Sequence, residues 1–202
     1  MKLGTCTVRG RPREFDPDQA LASALGVFWS KGYEGASMTD LTEAMGITKP
    51  SLYAAFGNKE ALFSRALDLY EREKLAYIGE AMAAPTTKGV AEKLLRGALK
   101  MQTDPGCPGG CLAVISSVAC GAEAESIRDH VLARAAKPKE ALLRRFEQGQ
   151  ADGDFGPEID PQGLTAHIIA VMQGLTVQAG AGVGREELER LVETSLAMWP
   201  TR

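Results

Sequence analysis

The sequence predicts an all-α protein, in which an N-terminal three-helix unit built on a helix-turn-helix precedes a larger helical domain, with about nine helices in total. Three observations predict it. Apolar residues recur at helical spacing, as in Leu21, Leu25 and Phe28 or in Leu188, Leu191, Val192 and Leu196. A capping residue followed by proline, the pattern that opens a helix, occurs at Asp16-Pro17 and again at Asp160-Pro161. Between Ser37 and Phe56 two short helical patterns meet at a single glycine, Gly46.

Residues 1–13 carry Lys2, Arg9, Arg11 and Arg13, no acid and no periodicity, so residues 1–15 are expected to form a flexible basic arm. The first helix starts at Asp16-Pro17 and is expected to end near Lys31-Gly32, with Val27 and Trp29 widening its stripe. Ser37 caps the second, with Asp40 three residues on in a capping-box arrangement, and Met38, Leu41, Ala44 and Met45 form its buried side. Gly46 stops that helix, Ile47 plugs the turn, and Thr48 caps a third helix that has Pro50 in its first turn and turns Leu52 and Phe56 inward. No one of these helices buries enough apolar area by itself, so residues 16–57 are read as one packed domain.

Gly57-Asn58 closes that domain, and residues 58–202 form the second. Asn58 caps a fourth helix expected to run to about Ala83, long enough to leave the first unit and enter the next. A fifth carries Val90, Leu94, Leu95, Ala98 and Met101 and gives way to a loop dense in proline and glycine at 103–110. After an apolar stretch from Cys111 to Cys120, a long helical pattern reaches Ala151, and Pro138 within it predicts a kink or a new helix start near Lys137. The last two helices span Pro161 to about Ala179 and Arg185 to Trp199. Ala166, Ala170 and Gly174 make a strip of small side chains on the first of them, and Leu188, Leu191, Val192 and Leu196 an apolar stripe on the second. Two copies of this pair are expected to form a four-helix contact, which makes the protein a homodimer.

Composition narrows the class. Hydrophobic residues at 45% and charged residues at 24% are ordinary for a globular chain. The longest apolar runs, Cys111–Ile115 and Ile168–Met172, are far too short to span a bilayer, and the N-terminus lacks the apolar core of a signal peptide, so no membrane partner is expected. Four cysteines in a chain of 202 residues do not make a disulfide framework, and a reducing cytoplasm is the expected compartment. With two histidines, no glycine-rich phosphate loop and no nucleophile-plus-base arrangement, no enzyme is predicted; neither is a cofactor or a metal site.

The outward residues at the start of the third helix carry the chemistry. Thr48, Lys49, Ser51 and Tyr53 stand where a helix-turn-helix presents its reading side chains to the major groove of double-stranded DNA. Free amides and a partial positive charge at a helix N-terminus suit phosphate oxygens, and a tyrosine hydroxyl can donate to phosphate while its ring packs. Arg9 and Arg11 on the basic arm offer further contacts to the phosphate backbone or minor groove.

The motifs Arg9-Gly-Arg-Pro-Arg13, Gly32-Tyr-Glu-Gly-Ala-Ser-Met38, Ile47-Thr-Lys-Pro-Ser-Leu-Tyr53 and Phe56-Gly-Asn-Lys-Glu-Ala-Leu62 resemble those of the TetR family of transcriptional regulators. The resemblance implies a homodimeric repressor that binds a palindromic operator and releases it when a small-molecule effector binds the larger domain. It also implies reading positions at Thr48, Lys49 and Ser51, phosphate contacts at Tyr53 and Lys59, and a contact at Thr39 opening the preceding helix. Where the family often carries a bulky polar or aromatic residue two positions after the tyrosine, this chain has Ala55, with Ala54 before it, so base readout from that turn is expected to be thin.

The effector site is expected inside the larger domain, where bundle interiors form pockets, with Met101, Cys111, Ile115, Ser116, Phe146, His167 and Met172 as candidate lining. Cys107-Pro-Gly-Gly-Cys111 followed by Cys120 opens an alternative, a thiol- or metal-responsive regulator with His130 as a further ligand. A helical interaction protein without DNA binding is the remaining alternative.

Overall fold

A computed structural model describes residues 15–118, 121 and 125–201. Among these the helices are α1 (Pro17–Gly35), α2 (Met38–Met45), α3 (Lys49–Phe56), α4 (Lys59–Lys74), α5 (Ala76–Met82), α6 (Thr87–Gln102), α7 (Leu112–Val118), α8 (Glu125–Ala151), α9 (Pro161–Gly180) and α10 (Arg185–Ala197). The caps form as the sequence signals require. The Asp16 carboxylate accepts from the amides of Asp18 and Gln19, Thr48 from that of Ser51, Asn58 from that of Ala61, and Asp160 from those of Gln162 and Gly163. At α2 both halves of the capping box close, and Gly46 takes the left-handed conformation at φ +65° that a side chain would resist.

Gly32 is another backbone position that needs glycine. It sits inside α1 at φ +70° and ψ 176°, so the helix breaks where its end was expected and then adds a short turn through Gly35.

Two cores divide the chain. The first joins α1 to α4 through Phe28, Trp29, Leu41, Leu52, Phe63 and Tyr70, and draws in Leu112 of α7 with Ile127 and Val131 of α8. The second gathers Leu94, Leu95, Phe146, Ile168, Leu175 and Trp199 from α6, α8, α9 and the residues after α10. Each fully buried Leu or Phe contributes about 1.5–3 kcal/mol to its cluster. Burial along α4 lies with the first core as far as Tyr70, and α8 reaches into both.

The structure departs from expectation or narrows it at three places. The helix predicted from Lys59 to Ala83 is two, because it turns at Leu75 (φ −104°, ψ 8°); the new direction lets Ile78 and Met82 of α5 pack against the second core. Of the two outcomes expected at Pro138, the new helix start does not occur, since α8 runs through the proline within its 27 residues. The proline is exposed, so it costs one ladder bond at a solvated position, while Ile127 and Val131 on one side and Leu142 and Phe146 on the other anchor the helix in the two cores. Ala44 is exposed rather than part of the α2 core face, which Leu41 and Met45 supply.

Candidate nucleic-acid interface and ligand cavity

The start of α3 is exposed and ordered by its own side chains. Thr48 Oγ1 accepts from the Ser51 amide at 3.3 Å and lies 2.9 Å from Ser51 Oγ, so the two hydroxyls form a pair that fixes the first turn. Lys49 is exposed, and Tyr53 stands 47% exposed one residue beyond the buried Leu52. Ala54 is exposed and Ala55 half-buried, a bare surface in agreement with thin readout from that turn. Arg65 of α4 closes the other end: it donates to the Ala55 carbonyl at 3.2 Å and lies over the Phe56 ring. Helical periodicity gave no reason to single out Arg65, since its role comes from a contact between helices.

Thr39 is exposed in the first turn of α2. Its neighbour Asp40 would set a negative charge beside any phosphate, but Lys31 holds that carboxylate at 2.6 Å. The Lys31 hydrogen bond, followed by those from the Ser37 hydroxyl and amide, keeps the Asp40 carboxyl well below the ordinary carboxylate range. Lys59 is half-buried at the start of α4 with its ammonium 4.5 Å from the centre of the Tyr33 ring. Burial lowers its pKa, with Glu34 acting the other way. Arg9 and Arg11 lie outside the described residues.

A cavity of about 440 Å³ opens between α4, α5, α6, α8 and α9, with Ala113 of α7 also in its wall. Leu67, Leu75, Ile78, Met82, Leu142 and Met172 supply apolar wall, while Glu71, Arg134 and Lys139 are its charged members. Of the expected lining, Met172 alone stands there. Phe146, one turn beyond Leu142, is past the end of the cavity and packs edge-on against Trp199 with ring centres 5.6 Å apart. His167 faces outward beside the buried Ile168, and Met101 lies two turns beyond Leu94, the α6 residue that does form wall.

Cys111 and Ile115 belong instead to a junction between the two cores, and Ser116 is buried on α7 away from the lining. Trp29 Nε1 donates to the Gly110 carbonyl at 2.8 Å, and the buried Gln102 bonds both ends of Gly110, receiving its amide at 2.8 Å and donating to its carbonyl at 3.2 Å. Gln102 also donates to Thr176 of α9 at 3.4 Å. Ile115 packs at both Gly32 and Gly110. A polar Gln at the end of an apolar helix pattern was the one sequence signal for this junction. Tyr70 donates to Cys111 Sγ at 3.4 Å, and the Tyr70 and Tyr77 phenols are pushed up by burial first and by Cys111 second. Among the described residues no three His, Cys, Asp or Glu side chains are placed to hold a metal; Cys120 lies outside them.

On α9, Ala166 and Ala170 are exposed, Gly174 is half-covered and Val177 is exposed, so the small-residue strip is open. The α10 stripe is not. Leu188, Val192 and Leu196 are buried within their own subunit with Trp199, which leaves the half-buried Leu191 as the one leucine of that set with accessible surface. A leucine stripe is equally fit to face its own core or a second copy, and here the second core takes it. Among the described residues no helix is long and apolar enough to cross a membrane.

Comparison with known proteins agrees with this geometry. Residues 20–66 match the model of bacterial regulatory proteins of the tetR family, and residues 91–194 match the tetracyclin repressor-like C-terminal domain. The transcriptional repressor ComR of Escherichia coli K12 is 33% identical over 95% of this chain and 92% of its own length. BdcR, a transcriptional repressor of the same organism, is 30% identical over 90% of this chain and 87% of its own. A cysteine-substituted form of the regulator CifR, solved with 26-bp double-strand operator DNA, superposes with a TM-score of 0.89 at 41% identity, covering 95% of this chain and all of that one. The exposed α3 start, the all-helical second domain and these relatives together show that the chain belongs to the TetR family and is a DNA-binding transcriptional regulator.

Proposed function

We propose that the protein is a homodimeric repressor that works in the cytoplasm, binds a palindromic operator and is released when a small molecule occupies the cavity. Thr48, Lys49 and Ser51 approach base edges, Tyr53, Lys59 and Thr39 hold phosphates, and the arm bearing Arg9 and Arg11 adds backbone contacts. Because Thr48 and Ser51 already bond each other, phosphate positioning outweighs base reading at this helix. The Ala166, Ala170, Gly174 strip, extended by Val177 and Leu191, is the surface offered to the second subunit.

The observation that carries this reading is the placement of α4. It begins at Lys59 beside the reading helix and passes its Leu67 and Glu71 along the cavity wall. A ligand that separates α4 from α8 therefore moves Lys59 and the reading helix in one subunit relative to the other, which weakens simultaneous contact with two half-sites. The thiol- and metal-responsive alternative draws no support from a Cys111 that is bonded to Tyr70, and the alternative without DNA is at odds with the family. Fluorescence anisotropy with duplex DNA flanking the protein's own coding region tests the proposal. Saturable binding that pools of small apolar molecules reverse supports it; no binding at low salt overturns it.

A further inference from the structure

We infer that the cavity takes an uncharged, mainly apolar organic molecule that carries one hydrogen-bond donor such as a hydroxyl. This rests on reading the cavity as the effector site and goes further by naming the chemistry of its ligand.

The charged groups of the lining cancel one another. Arg134 Nε and Nη2 donate to the two oxygens of Glu71 at 2.8 and 2.7 Å, and Nη2 also reaches Asp68. A ligand carboxylate would find this guanidinium already held by two acids, and a ligand ammonium would find Glu71 already bound; either would have to break a bidentate pair and leave a charge without its partner. Lys139, the remaining cation, is exposed, so its ammonium keeps its water and its attraction for an anion is spent at the mouth rather than within. What is left inside is hydrocarbon, supplied by leucine, isoleucine, valine and methionine side chains of five helices.

One acceptor interrupts this surface. Each oxygen of the Glu71 carboxylate takes one hydrogen bond from Arg134 and keeps a further lone pair, and Glu71 lines the cavity. A hydroxyl on the ligand can donate to that carboxylate without displacing Arg134. An ether of the same size cannot.

The test uses the full-length protein and the uncharged fluorescent probe N-phenyl-1-naphthylamine. The probe should bind wild type, and Ala135→Trp, a substitution at an exposed lining position, should weaken it about tenfold or more without changing the thermal midpoint. In displacement, 1-decanol should outcompete decyl methyl ether, decanoate and decylammonium, the two ions by about tenfold or more. Decanoate or decylammonium displacing as well as decanol overturns the ligand class, as does equal competition by the ether for its donor. Probe binding that Ala135→Trp leaves intact overturns the site. Operator release is read separately by anisotropy: decanol that displaces the probe but leaves operator affinity unchanged upholds the ligand chemistry and refutes the effector reading.

Discussion

Arg134 of α8 forks onto Glu71 of α4, with Nε donating to Oε1 at 2.8 Å and Nη2 to Oε2 at 2.7 Å. The side chain of Arg134 is 26% exposed and those of Asp68 and Glu71 are 57% and 40% exposed, so solvent screens the pair without dissolving it. Replacing Arg134 by Gln should lower stability by about 1 kcal/mol, with the gap from wild type shrinking as salt rises. Urea unfolding at fixed protein concentration measures both; an unchanged midpoint would mean the fork holds nothing together.

Gly32 and Gly26 make a contrasting pair on α1. A Cβ at Gly32 would require φ +70° and would stand 3.0 Å from Ile115 Cγ2, whereas nothing lies within 4 Å of one at Gly26. Gly32→Ala should cost about 1–3 kcal/mol, and Gly26→Ala should add about 0.5–1 kcal/mol by relieving helix entropy. Thermal midpoints rank them; Gly32→Ala at or above wild type would contradict the strain assigned to that kink.

The difference between what was legible and what was not follows interaction range. Caps, proline starts and glycine stops act within four residues, and Asp16, Ser37, Gly46, Thr48, Asn58 and Asp160 sit where their types imply. Helical periodicity identifies a buried stripe but not what covers it, which is why Leu188, Val192 and Leu196 fit a second subunit on sequence alone and are buried in the first. The cavity was harder still. Glu71, Arg134 and Ile78 become neighbours only because α4 and α5 part at Leu75 and no new helix starts at Pro138, features that local rules do not determine.

Gln102 bonds both backbone groups of Gly110 from a buried position. Gln102→Leu keeps the volume but strands the Gly110 amide, and should cost about 2–3 kcal/mol. Because Gly110 also receives Trp29, the loss should show first as faster hydrogen exchange where the two cores meet. Uniform protection there would refute the junction's importance.

Asp40 carries a pH prediction. Its carboxyl is held below its ordinary value by Lys31 and Ser37, so the unfolded chain binds that proton more readily than the folded one. The contribution is therefore present above about pH 4 and is lost as pH falls below it. Asp40→Asn should unfold more easily at neutral pH yet converge on wild type in acid. Parallel acid curves for the two proteins would remove Asp40 from the stability of α2.

The proposed grip of this helix-turn-helix on operator DNA, chiefly through phosphate contacts, is tested most directly by the salt dependence of operator affinity. Log affinity against log salt should be shallower for Lys59→Ala than for wild type by about 2 for a dimer, one released counterion for each subunit. Tyr53→Phe, which removes a neutral donor, should weaken every DNA sequence alike at unchanged slope. An unchanged slope for Lys59→Ala, or a changed sequence preference for either variant, would contradict it.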